Sequence, residues 1–161
     1  MAKFDADMRS LVRRTILCFA ATINGDGSPN LSPKSTLIVH DDDHLLFSNM
    51  ASTRTVANLR LDLALRSTAW IFFLARGYRF TGRASVRSAG DPIYDECAAA
   101  LRAEHGDAIP IQDAVLVRVL SAKPILSPAY AYVPGVTETS LREVYARKYG
   151  MVPLTPEEST Q

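Results

Sequence analysis

The chain has 161 residues, 47% hydrophobic and 22% charged, with a formal net charge of +1. That length fits one domain, burying roughly 70% of its unfolded surface. The near-neutral balance argues against a dedicated polyanion binder, and no apolar run is long enough to span a bilayer.

The opening Met1-Ala2-Lys3-Phe4-Asp5 carries no hydrophobic signal segment, so a cytoplasmic location is expected. Cys18 and Cys97 have no metal-site spacing and read as reduced core residues. Charge is unevenly spread. Residues 52–87 hold seven arginines (Arg54, Arg60, Arg66, Arg76, Arg79, Arg83 and Arg87) against one acid, Asp62, whereas the remainder holds eleven basic and sixteen acidic residues. A positive middle third favours an anionic small molecule or nucleic acid. The alternative is that several of these arginines, Arg60 and Arg66 first, lie on a solvated face.

Residues 5–14 read as a short amphipathic helix with Met8, Leu11 and Val12 on one side. The apolar, partly β-branched run 15–23 reads as a buried strand. Asn24-Gly25-Asp26-Gly27-Ser28-Pro29 is a turn, and a second strand follows over 30–40. After the Asp41-Asp42-Asp43 turn, a third strand covers 44–48. The three strands read as an antiparallel meander.

A helix follows, with Val56, Leu59 and Leu63 at helical spacing and Ser52 or Thr53 as N-cap, its hydroxyl satisfying a first-turn N–H. A fourth strand spans 64–74. Ala75-Arg76-Gly77 turns the chain into a fifth strand over 78–87 that alternates cleanly. Tyr78, Phe80, Gly82, Ala84 and Val86 share one face, and Arg79, Thr81, Arg83, Ser85 and Arg87 the other. Asp91-Pro92 starts a helix that runs to His105 and stops at Gly106. A sixth strand spans 114–122, ended or bent by Lys123-Pro124. Residues 127–135 form a tyrosine-bearing loop, a last helix spans 138–149 with a capping box from Ser140 to Glu143, and the tail 153–161 reads as disordered. Six strands with short connections imply a closed or nearly closed antiparallel barrel with helices outside, that is, a mainly β, α+β domain over 1–152. A plain α+β sandwich is the alternative.

Two constellations bear on chemistry. At the start of the second helix, Ser52, Thr53, Arg54 and Thr55 bring hydroxyls, free N–H groups, the positive dipole end and a guanidinium to one point, which suits a phosphate. The alternative is an ordinary capped surface helix. In Ser32-Pro33-Lys34-Ser35-Thr36, alternation puts Ser32, Lys34 and Thr36 on one face, from which Lys34 could reach the same ligand, or simply stay solvated. Gly77-Tyr78-Arg79-Phe80-Thr81-Gly82 offers close backbone approach and an aromatic that either stacks on a planar ring or fills the core. No nucleophilic triad, metal-ligand spacing or phosphate-binding glycine loop is present, so chemistry would come from a bound cofactor.

These three motifs, in this order, resemble the pyridoxamine 5′-phosphate oxidase-like family of flavin mononucleotide (FMN)-binding split barrels. The hairpin Asp41-Asp42-Asp43-His44-Leu45-Leu46-Phe47 is similar too, and the resemblance covers residues 15–86 best. It implies a six-stranded split barrel, a homodimer with FMN at the subunit interface, and a small-molecule substrate or nicotinamide donor, with no role for nucleic acid or membrane. By position it implies Lys34 and Ser35 along the flavin ring, Ser48 and Asn49 near the ring or ribityl chain, and Ser52, Thr53 and Arg54 on the phosphate. Tyr78 and Arg79 would approach from either subunit. The true pyridoxamine phosphate oxidases carry Trp and Arg residues in a C-terminal segment; here the single Trp is Trp70, so the resemblance points to the broader set of flavin-binding relatives. The alternatives are a non-enzymatic flavin carrier or sensor, a deazaflavin- or haem-binding relative, or a nucleic-acid-binding barrel using Arg79, Arg83 and Arg87.

Overall fold

A computed structural model describes residues 3–62, 64–71 and 74–151, with residues 64–71 described as backbone. The expected disordered tail and the helical position Leu63 lie outside these residues, as do Phe72 and Phe73 of the expected fourth strand.

The elements in order are α1 (Ala6–Arg14), β1 (Cys18–Ile23), β2 (Pro29–Lys34), β3 (Ile38–Val39), β4 (His44–Asn49), α2 (Thr53–Leu61), β5 (Ala64–Ile71), β6 (Arg76–Arg87), α3 (Pro92–His105), β7 (Asp113–Leu126), α4 (Ala129–Tyr132) and α5 (Glu138–Lys148). One antiparallel sheet holds the strands in the order β2-β1-β5-β6-β7-β4-β3.

The second expected strand is therefore two. Its first half pairs with β1 and its second half with β4, so the two halves form opposite edges of the sheet. Laid flat, seven strands would hold those edges about 29 Å apart. Residues 35–37 join them, and four Cα steps reach at most about 14 Å. The sheet must curl until its edges nearly meet, which is the antiparallel split-barrel arrangement.

The core fills the inside of that curl. Leu45, Phe47, Val56, Leu59, Phe80, Ala84, Val115, Val117 and Val119 pack together there, with Leu11 and Val12 of α1. The alternation of β6 holds, with Phe80, Gly82 and Ala84 buried and Arg79 and Arg83 exposed. β4 is buried along almost all its length because both faces are covered. Leu46 points away from the main core and packs beneath Tyr94 and Ala98 of α3.

Several boundaries moved. β7 runs through Pro124, which the sequence reading treats as a breaker. From Val119 onward β7 has β6 on one side while β4 has ended, and Pro is tolerated at such an open edge. The last helix starts at a capping box formed by Thr137 and Ser140, three residues before the expected one. Tyr130 and Tyr132 sit in the short helix α4 rather than in a plain loop. Cys18 is buried as expected, but Cys97 is only half-buried. No helix among the described residues is long and apolar enough to cross a membrane.

Candidate functional site

The barrel is split where Lys34 leaves β2. Its side chain turns inward and is 5% exposed. The ammonium donates to Ser32 Oγ at 2.5 Å, to Ser52 Oγ at 2.7 Å and to the Pro33 carbonyl at 3.1 Å. It also lies 5.7 Å from the centre of the Phe47 ring. All three of its protons are therefore placed, yet no carboxylate among the described residues faces it. Burial pushes the amine below its ordinary value of 10.5.

Ser52 is the N-cap of α2, as expected, but not for the expected reason. Its hydroxyl makes no bond to the first-turn N–H groups. It meets Lys34 Nζ and lies 3.0 Å from Ser32 Oγ. The first turn is thus left without a side-chain cap, beside a buried cation. A partial positive charge and a full one converge there, at a helix start with no acid in its first turn.

A groove of about 400 Å3 opens at this point, lined by Ser32, Lys34, Ser35, Ser48, Met50 and Ser52 among others. It lies within the usual size range of small-molecule sites. A second groove of about 290 Å3 continues past the split and shares Ser35, Thr36 and Ser48 with the first. Ser48 is fixed from two sides. Its N–H donates to Thr36 Oγ1 at 3.0 Å, and its hydroxyl lies 3.1 Å from Cys97 Sγ.

The other expected residues divide into three groups. Thr53 and Arg54 are exposed on the first turn of α2, and the Arg54 guanidinium makes no ion pair among the described residues. Asn49 is 1% exposed and backs the groove rather than lining it. Its Oδ1 accepts from the Ser52 N–H at 2.8 Å, and its Nδ2 donates to Asp113 at 3.1 Å. Tyr78 and Arg79 line neither groove of this chain. The Tyr78 ring stacks near Phe80, and its hydroxyl donates to Asp7 Oδ2 at 2.7 Å.

Asp7 and Arg76 form a second polar cluster, in which Arg76 bonds Asp7 and reaches Glu138 at 2.6 Å. It joins α1, β6 and α5. Burial, the bond to Asp7 and the Asp7 charge together push the Tyr78 hydroxyl up to about 12. Ultraviolet titration should find one tyrosine ionising that late. Asp7→Asn should bring it down only part of the way, because burial, the larger cause, remains.

Two participants escaped the sequence reading. Asp113 is a lone acid at the head of an apolar strand, which is a signal, but its partners lie far away in sequence. Cys97 sits on an ordinary helical stripe and gives no such signal.

A family model described as pyridoxamine 5′-phosphate oxidase matches residues 4–125. The chain is similar to HupZ from Group A Streptococcus, with 20% identity, a TM-score of 0.69, and coverage of 77% of this chain and 95% of that one. It is similar to an FMN-binding protein from Syntrophomonas wolfei, with 17% identity, a TM-score of 0.66, and coverage of 74% and 84%. An F420 reductase matches with 15% identity, a TM-score of 0.57, and coverage of 74% and 98%. At these identities the structural likeness speaks for the fold. Among curated proteins, none matches the sequence.

Proposed function

Since the chain belongs to the pyridoxamine 5′-phosphate oxidase family, we propose that it is a flavoprotein that binds FMN at the start of α2 and acts as an oxidoreductase on a small molecule. The observation that carries this is the buried Lys34 ammonium, held against the hydroxyl of a helix N-cap and balanced by no acid among the described residues. A buried charge without a counter-charge is costly, and a bound phosphate would supply one.

The residues fit the group. Thr53, Arg54 and the uncapped N–H groups would hold the phosphate, with Lys34 and Ser52 behind it. Ser35 and Ser48 border the groove where the ribityl chain and ring would lie, and Asn49 holds the helix start from behind. FMN, when bound, supplies hydride and electron transfer. Lys34 would hold a fixed positive charge at the groove floor, where it favours negative charge on whatever lies above. Ser35 and Ser48 could orient a ring edge by hydrogen bonds.

The homodimer belongs to the same proposal. The outward face of β1 and β2 is apolar from end to end. Phe19, Ile23 and Leu31 are 37%, 57% and 63% exposed, and Pro29 and Pro33 lie beside them. Pro33 also lines the groove, so a second copy on this face would wall the site.

A visible spectrum of the purified protein, with native mass spectrometry and the mass of the heat-released cofactor, tests the proposal. A yellow dimer releasing FMN is expected. A released deazaflavin or haem would change the cofactor, and a colourless protein that ignores added FMN would overturn the reading. Arg54→Ala should weaken FMN binding by about tenfold to a hundredfold, the worth of one hydrogen bond to a charged group. Its melting temperature should hardly move, because Arg54 is exposed and makes no ion pair among the described residues.

A further inference from the structure

The start of α2 receives no side-chain cap from its own N-cap residue, so something else must fix it. The Ser52 N–H donates to Asn49 Oδ1 at 2.8 Å. An amide can present its oxygen or its nitrogen in one place, so this bond needs the Asn49 side chain to be oriented. Asp113 orients it. Asn49 and Asp113 face each other across β4 and β7, and Asn49 Nδ2 donates to Asp113 Oδ2 at 3.1 Å. A carboxylate only accepts, so it draws the amide nitrogen to itself and leaves Oδ1 for Ser52.

The second carboxylate oxygen is engaged too. Arg60, in the last turn of α2, reaches Asp113 Oδ1 at 3.2 Å, and Ser88 Oγ donates to the same atom at 3.2 Å. Asp113 itself is 7% exposed. One buried carboxylate therefore reaches both ends of α2, through Asn49 at the N-cap and directly through Arg60 in the last turn.

We infer that Asp113 is the positioning residue of the anion site: by holding both ends of α2 it fixes where the uncapped first-turn N–H groups point. It touches no cofactor and acts through Asn49. This rests on the FMN reading above.

The test compares FMN with riboflavin, which has the same ring and ribityl chain but no phosphate. Flavin fluorescence quenching gives the dissociation constant of each, and their ratio isolates the phosphate site. In the wild type FMN should bind more tightly. In Asp113→Ala the preference should fall by about tenfold, the loss of roughly one charge-assisted contact. Asp113→Asn still offers Asn49 an acceptor and should keep the preference within about threefold of wild type. If Asp113→Ala does not fold, Asn49→Ala should show the same fall. A ratio unchanged in the Ala variants, with both affinities lowered equally or not at all, would overturn the inference and leave the FMN reading intact. A wild type that does not distinguish the two flavins would remove both.

Discussion

Lys34→Met should make the protein more stable and its hold on FMN weaker. Methionine has a similar length and no charge. Removing a buried ammonium that no carboxylate among the described residues balances relieves a desolvation cost, and Ser32 and Ser52, 3.0 Å apart, can still bond each other. A gain of about 1 kcal/mol, or a melting temperature about 2–4 °C higher, is expected. The affinity for FMN should drop by about tenfold to a hundredfold, the worth of a charged contact to phosphate. Stability given up at a binding site in this way is a general pattern.

The pH dependence has a definite sign. Burial holds the Lys34 amine below 10.5 in the folded chain. Between that lowered value and 10.5 the unfolded chain binds more protons than the folded one, so stability rises with pH across that window. Below the window the full cost of the buried charge is present. The advantage of Lys34→Met, followed by thermal or urea melts, should therefore be greatest below the window and shrink as pH climbs through it. An advantage that stays constant with pH, or a variant less stable than wild type, would contradict the account.

Gly82→Ala should be strongly destabilising. Gly82 sits at a bulge where the register between β6 and β7 shifts. A Cβ there would meet the Arg118 carbonyl oxygen at 2.3 Å and Val117 Cγ1 at 2.9 Å. The nearer atom is backbone held in the β6–β7 ladder, so neither strand can yield without breaking pairs. A loss of about 3 kcal/mol is expected, or about 6–12 °C in melting temperature. Gly25, where an added Cβ would meet nothing within 4 Å, is the control and should tolerate alanine. Equal stability of the two variants would mean that the strands separate more easily than their packing indicates. The close approach that the Gly77–Gly82 motif suggests is thus, at Gly82, an approach of strand to strand.

Much of this was legible in the sequence because it is local. The alternation of β6 follows from a side-chain period of two, and Asp91-Pro92 sets the start of α3 through the Asp91 side-chain cap and the fixed φ of Pro92. The helix start at Ser52 is local as well, and so is the placing of Ser32 and Lys34 on one face. What these residues do to each other is not local. Ser52 caps no N–H because Lys34, eighteen residues earlier, claims its hydroxyl. Arg60, which looks like a solvated helix residue, is tied to Asp113 across 53 residues.

The sequence by itself determined which segments extend, which coil, and where one positive helix end would stand, since propensity, alternation and capping act over a few residues. The tertiary structure alone decided that the second strand divides between two sheet edges, because only the curl of the whole sheet brings β2 and β3 to opposite sides of one split. The same curl buried the Lys34 charge and set Asp113 behind α2. Burial and pairing across the chain are properties of the curled sheet as a whole, and no short stretch of residues carries them.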